Sequence, residues 1–228
     1  VTSSKKPTRN PFDDPQIAGF YEGWFETPVG KAIDEQETEL ILSMLPGGGG
    51  GTFLDVGCGT GHFSRIAASS GYRVFGSDVS RAMLAEAKER WDGRLVISDA
   101  HHLPHRANAF DAVGTFTVLE FTENPQEVLS EMIRVSENIV VVAFLNKWGM
   151  INLRRRVRNL MGKRDVFSDA RFFGVSEMKR LIQKAGKSTG RRVSLEWGSA
   201  VGFSVLKRLF SRSRFQNFIF CIIRLDEA

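Results

Sequence analysis

The stretch Leu54-Asp55-Val56-Gly57-Cys58-Gly59-Thr60-Gly61 sets three glycines at alternate positions between an apolar run and a segment of helical pattern. Glycine permits φ > 0 and lets backbone N–H groups approach a ligand with no Cβ in the way. Gly57, Cys58, Gly59 and Gly61 are therefore candidates for a backbone cradle. A dinucleotide loop needs G-x-G-x-x-G/A, and here His62 holds the third small position, where an imidazole would crowd a pyrophosphate. No Gly-Lys-Ser/Thr ends the loop, which removes the Walker type. A ligand without phosphates suits it better. Asp78 ends the next apolar run, 17 residues beyond Gly61. An ionised carboxylate there has two acceptor oxygens for the two hydroxyls of a ribose. Asp99-Ala100 ends a third run, and Asp99 could accept from an adenine amino group.

These groups need elements that deliver them to one edge. Apolar runs at Phe53–Val56, Arg73–Gly76, Leu95–Ile97, Phe110–Thr115 and Ile139–Phe144 alternate with helical patterns at His62–Ser70, Arg81–Trp91 and Pro125–Val135. Such runs predict parallel strands covered on both faces, and right-handed crossovers give a doubly wound α/β sheet binding ligands at its carboxyl edge. Ser80 and Asn124-Pro125 carry helix-start signals. Upstream, Gly30–Leu45 reads as a helix with acidic first turns, stopped by Pro46 and followed by the link Gly47–Gly51. The chain thus divides into an N-terminal helical cap with a glycine linker, 1–51, and an α/β domain, 52–228.

Beyond Phe144 the rhythm changes. Met150, Leu153, Val157, Leu160 and Met161 form an apolar helical stripe with Arg154, Arg155, Arg156 and Arg158 on its other side, so 147–170 reads as a basic helical insert. Ser176 to Ala185, ended by Gly186, predicts another helix. Arg192–Trp197 and Phe218–Leu225 predict the last strands. Within Gly198–Arg214, Val205, Leu206, Leu209 and Phe210 suggest a short amphipathic helix.

With 228 residues, 42% hydrophobic and 25% charged, the composition is that of a globular α/β chain. No run of 18 apolar residues predicts a membrane span. Val1–Arg9 lacks the apolar stretch of a secretory signal, and Cys58 and Cys221 stand in unlike settings, so a reducing cytoplasm and no disulfide are expected. The net charge of +5 hides an asymmetry: residues 1–145 carry 12 Lys/Arg and 20 Asp/Glu, residues 146–228 carry 19 and 6. The basic part fits a solvated face, an anionic small ligand, or peripheral contact with a membrane surface. Nucleic acid is not an expected partner, since no separate recognition module is evident. His101-His102-Leu103-Pro104-His105 lacks a second ligand group at metal-site spacing, so no metal is expected.

In order along the chain, L-D-V-G-C-G-T-G (54–61), G-S-D-V-S-R-A-M-L (76–84), S-D-A-H-H-L-P (98–104), F-D-A-V (110–113) and V-L-E-F-T-E-N-P (118–125) resemble the class I S-adenosylmethionine-dependent methyltransferases. The group most resembled is the ubiquinone/menaquinone-biosynthesis-like one (methyltransferase type 11). W-F-E-T-P-V-G (24–30) resembles an opening seen in some members, and A-R-F-F-G-V-S-E-M-K-R-L-I-Q-K-A-G (170–186) looks like the family's closing helix. The resemblance implies a Rossmann-like seven-stranded sheet, mostly parallel with an antiparallel last strand and helices on both faces. It implies S-adenosyl-L-methionine as cofactor and S-adenosyl-L-homocysteine as product. Asp55 and the backbone of Gly57–Gly61 would hold the methionine portion, and Asp78 the ribose hydroxyls. Val79 and Met83 would pack on adenine, Asp99 and the Ala100 amide would read its edge, and backbone near Thr115 would face the methionine amino group.

Methyl transfer from a sulfonium mainly requires alignment and exclusion of water, with a base only where the acceptor must lose a proton. Glu120 is the candidate carboxylate, with a structural or helix-capping role as the alternative. Phe121 stands where many relatives carry His, so no acid–base role carries over to it. Tyr21, Trp24 and Phe25 form an aromatic group suited to a lid; Phe121, Asn146, Phe172 and Phe173 are further candidates to line the acceptor site. The expected function is methyl transfer to a small-molecule acceptor that is anionic, quinone or lipid-like. The alternatives are a catalytically silent cofactor-binding regulatory module and an NAD-type dehydrogenase, against which His62 argues. Oligomeric state is not legible.

Overall fold

Two proline-headed helices open the chain. Asp14 accepts from the Gln16 amide (2.9 Å) just before Pro15, starting α1 (Pro15–Glu26). Thr27 accepts from the Gly30 amide (3.0 Å) just before Pro28, starting α2 (Pro28–Met44). Both are side-chain caps followed by Pro at the first helical position, where its missing N–H costs nothing. The computed structural model describes residues 10–45, 49–163, 165–200 and 218–226.

From Thr52 strands and helices alternate: β1 (Thr52–Val56), α3 (His62–Ser69), β2 (Arg73–Asp78), α4 (Arg81–Arg90), β3 (Arg94–Ile97), β4 (Phe110–Phe116), α5 (Pro125–Val135) and β5 (Ser136–Leu145). There follow α6 (Met150–Leu160), α7 (Val175–Thr189), β6 (Arg192–Ala200) and β7 (Phe218–Asp226). The caps read from sequence are present: the Ser80 hydroxyl accepts from the Met83 amide (3.2 Å) and Asn124 from the Glu127 amide (3.4 Å). The sheet runs β3-β2-β1-β4-β5-β7-β6. The pairs β1–β2, β2–β3, β1–β4 and β4–β5 are parallel, whereas β7 is antiparallel to both β5 and β6. The expected seven-stranded, mostly parallel sheet with an antiparallel last strand is therefore found. The strand order reverses between β1 and β4, the switch point beside which such sheets bind ligands.

Period-two alternation divides the core. Along β5, Val140, Val142 and Phe144 face one cluster with α5 and α7; Ile139, Val141, Ala143 and Leu145 face the other with α2 and α3.

Two expectations need correction, and one helix goes beyond them. Gly186 does not stop its helix: α7 runs on to Thr189 and closes at Gly190, φ +69°. An added Cβ at Gly186 would lie 2.8 Å from the Val193 side chain, so glycine there permits close helix–strand packing. Gly198–Ala200 extend β6, and the rest of the expected amphipathic helix lies outside the described residues. The helix α1 was not predicted at all, although Asp14-Pro15 and the stripe Ile17, Ala18, Tyr21, Trp24, Phe25 carry its signature. Among the described residues no helix is long and apolar enough to cross a membrane. Cys58 and Cys221 are buried free thiols.

Candidate functional site: the carboxyl edge of β1, β2 and β4

After Val56 the backbone turns through Gly57 (φ +72°), Gly59 (φ +54°) and Gly61 (φ +78°) into α3. This left-handed region favours glycine. At Gly57 a Cβ would also lie 2.3 Å from the Val118 side chain; at Gly59 the nearest neighbour is the Met83 methyl, 3.5 Å away. The Gly57 and Cys58 amides donate to the Ser77 carbonyl at 2.7 and 2.9 Å. One oxygen of Asp78 accepts from the Gly59 amide (2.8 Å) and the other from the Ser80 amide (2.8 Å). Loop and carboxylate are thus locked together across 19 residues of sequence. Burial raises the Asp78 carboxyl above its ordinary value, while the Ser80 and Gly59 amides pull it down. Burial also pushes the Cys58 thiol well up, which makes it an inert packing group.

Asp55 is fully buried. Its Oδ2 accepts from the Ser64 hydroxyl (2.6 Å), and its Oδ1 has no partner. Burial pushes this carboxyl up to about 7, the Ser64 bond opposes, and nearby Asp78 adds to the rise. A buried unsatisfied acceptor is costly and marks a place where a donor would be welcome. The Thr115 hydroxyl donates to the Val56 carbonyl (2.9 Å), tying the ends of β4 and β1. The Ser98 amide donates to the Asp78 carbonyl (3.0 Å), placing the end of β3 beside that of β2. Asp99 itself is exposed and accepts from the His101 amide (2.9 Å) and ring (2.6 Å). Its partial burial works upward, but these bonds prevail and hold the carboxyl below its usual value. Met83 is buried and Val79 exposed, while Ala100 is half-buried.

The cap helices lean on this loop. Phe25 stacks on His62 (3.8 Å between centroids) and meets Tyr21 at 5.8 Å and Trp24 at 5.0 Å edge-on. Phe12 joins Tyr21 (5.9 Å) to Phe121 (5.0 Å), and its carbonyl accepts from the Ser80 hydroxyl (2.7 Å). Glu22 accepts from the Thr60 hydroxyl and from Arg65 (3.0 Å), and His62 pairs with Asp34 of α2 (2.5 Å). The imidazole expected to crowd the loop is thus held between Phe25 and Asp34. Burial pushes Glu37 up to about 8, with help from Asp34; the Tyr21 phenol is raised by burial and then by Glu37, Glu22 and Asp78. The contacts of Phe12, Glu22, Asp34 and Arg65 cross 28 to 68 residues, so their place at the site is not legible in sequence.

On the other flank Glu120 sits buried in a short 3-10 turn, Leu119–Phe121. Its Oε1 accepts from the Leu145 amide (2.5 Å) and its carbonyl from the Arg171 amide (2.8 Å); Oε2 has no partner. Burial pushes it up to about 8 against the pull of the Leu145 amide. This geometry clamps the ends of β4 and β5. Asn146 is buried in a turn, accepting from the Trp148 amide (3.2 Å) while its carbonyl takes the Asn152 amide (3.0 Å). Phe173 lies fully in the core between Phe144 and α7, which removes it as a lining residue. Phe172 does line an open cavity of about 370 Å³, with Lys147, Arg156, Asn159, Ser168 and Ala170. Lys147 is 3.7 Å from Glu177, whereas Arg156 has no acidic partner among the described residues. His101 is taken up by Asp99 and His105 packs on Phe110.

This strand order with a glycine turn after β1 is the S-adenosylmethionine-dependent methyltransferase fold. The magnesium protoporphyrin IX methyltransferase of Synechocystis, solved with bound S-adenosylhomocysteine, superposes with a TM-score of 0.71 at 17% identity, covering 96% of this chain and 98% of that one. Residues 54–142 match the family model described as a methyltransferase domain. A malonyl-(acyl-carrier protein) O-methyltransferase of Pectobacterium atrosepticum is 30% identical over 130 residues, 57% of this chain and 49% of that protein. A ubiquinone/menaquinone biosynthesis C-methyltransferase of Desulfotalea psychrophila is 34% identical over 107 residues, 45% of this chain and 44% of that one. The chain spans about half the length of these two relatives.

Proposed function

We propose that the protein transfers a methyl group from S-adenosylmethionine to a small-molecule acceptor bearing an anionic group. The observation that carries the donor half is the left-handed glycine turn with its Gly59 amide held on Asp78, beside the unsatisfied Oδ1 of Asp55. These residues fit the cofactor. A carboxylate that already accepts two amides retains lone pairs for ribose hydroxyls. The buried orphan oxygen of Asp55 suits the ammonium of an amino acid, and Met83 with Val79 gives an apolar flank for adenine. Asp99 and the Ala100 amide would meet its polar edge, and the backbone at Thr115 the amino-acid end. The bound cofactor supplies a methyl group on a sulfonium, a good leaving group. The chain's own residues orient it, and the Phe12–Tyr21–Phe25 group of the N-terminal cap (1–51) excludes water from the 52–228 domain.

The acceptor half rests on the cavity between α6 and the 168–172 segment, where Arg156, with no acidic partner among the described residues, stands beside Phe172. A carboxylate or phosphate on the acceptor would pair with it, and Phe172 offers an apolar wall. Glu120, facing the Leu145 amide, orders the edge rather than taking a proton. The buried free thiols fit a reducing cytoplasm. Turnover with a panel of carboxylate, phosphate, quinol and amine acceptors, read as S-adenosylhomocysteine release, tests the whole reading. Product with an anionic acceptor supports it. Tight cofactor binding without product on any acceptor would favour a silent binding module.

A further inference from the structure

A surface helix normally turns its apolar stripe inward. The helix α6 does the reverse, which the sequence stripe alone did not reveal. Met150, Leu153, Val157, Leu160 and Met161 share one side, each at least 50% exposed, and Trp148 just before them is 56% exposed. The inward side is polar. Asn152 is fully buried and donates to the Asn146 carbonyl (3.0 Å); Asn159 accepts from the Ser168 hydroxyl (3.0 Å). Arg155 lies over the Phe167 ring (4.4 Å) and 3.9 Å from Asp165. These contacts fix the helix's rotation, so the exposed stripe is held outward by structure.

Charge identifies what the stripe faces. Arg154 and Arg158 are exposed on its shoulder, Lys163 follows, and no acidic residue occurs from Asn146 to Arg164. Phe218 pairs with both Leu145 and Ala200, so β6 ends and β7 begins at the edge from which α6 departs. The sequence between them, 201–217, contains Lys207, Arg208, Arg212 and Arg214 with no acid, interleaved with Val205, Leu206, Leu209 and Phe210. The cationic shoulder of α6 beside its apolar stripe is neutralised by a negative surface that also accepts apolar side chains.

We propose that α6 docks the protein on an anionic bilayer surface, its apolar stripe in the headgroup boundary and its arginines among the lipid charges. This stands independently of the methyl-transfer reading.

Flotation of the whole chain with phosphatidylcholine vesicles, with and without phosphatidylglycerol, tests it. Partitioning onto the anionic vesicles alone, reversed by salt, is expected. Leu153→Asp with Val157→Asp should abolish it, and Arg154→Gln with Arg158→Gln should weaken it about tenfold or more. Neither pair should lower the melting temperature or cofactor affinity. Absence of wild-type binding to anionic vesicles, or undiminished binding by the aspartate pair, overturns the proposal. A concentration-dependent dimer lost in the aspartate pair would assign the stripe to a second copy. A fall in melting temperature without vesicles would show that the chain itself covers the stripe. Either result overturns membrane docking.

Discussion

Two carboxylates at the candidate site differ in what each already touches. Asp78 accepts two backbone amides and shapes the glycine turn before any ligand arrives. Asp78→Ala should weaken S-adenosylmethionine binding by about 1–3 kcal/mol, since ligand hydroxyls lose their acceptor and the Gly59 amide its anchor. Isothermal calorimetry reads this directly, and unchanged affinity would remove Asp78 from the site. Glu120 has one partner, the Leu145 amide, and burial pushes it up from 4.5 to about 8. A carboxyl raised on folding contributes stability that is full below its unfolded value and lost as pH rises through the folded one. Thermal melts from about pH 6 to about pH 9 should therefore show the wild type losing stability relative to Glu120→Gln, which keeps an acceptor for Leu145 and cannot ionise. Parallel curves would mean that Glu120 does not titrate there. The glycine spacing, Asp78 and the Asp78–Asp99 strand ends were legible because turn chemistry and strand ends are local properties of sequence. Glu120's clamp was not, because its partner is 25 residues away.

At the level of elements, the cap is held on the glycine turn by a few long-range polar contacts. Glu22 of α1 takes both the Thr60 hydroxyl and Arg65, and Asp34 of α2 takes His62. Glu22→Ala should cost about 0.5–1 kcal/mol locally, as for a partly exposed pair, and more visibly free α1 to open. Faster amide exchange in Pro15–Glu26 and a faster cofactor off-rate, with little change in global stability, are the expected readouts. Unchanged exchange would mean that the aromatic contacts alone hold α1. The existence of α1 could have been read from its proline cap and apolar stripe. The inversion of α6 could not: periodicity reports that a helix has two faces, but the contacts of Asn152 and Arg155 decide which one turns inward. The same limit explains Gly186, whose role is set by Val193 across the helix–strand contact rather than by the helix end.

Across the whole molecule, β7 joins what the chain order separates. It lies between β5 and β6, and its residues alternate between the two halves of the core. Ile219, Cys221, Ile223 and Leu225 pack toward α5 and α7, while Phe218, Phe220 and Ile222 pack toward α2 and α3. The doubly wound order of the first five strands followed from short connections and handedness. The apolar run of β7 predicted a strand but not which face each residue serves, because a strand buried on both sides shows no alternation of polarity. The consequence is that the cap-side layer and the α5–α7 layer share one strand and should unfold together. Phe220 is fully buried, so Phe220→Ala should cost about 3–5 kcal/mol through lost transfer energy and an unfilled cavity. Urea unfolding followed by circular dichroism and by tryptophan fluorescence should keep a single coincident transition moved to lower denaturant. Trp91 reports the α2–α3 layer and Trp197, near Phe144, the other. Two separated transitions in that variant would show that the layers are independent units and that β7 does not couple them.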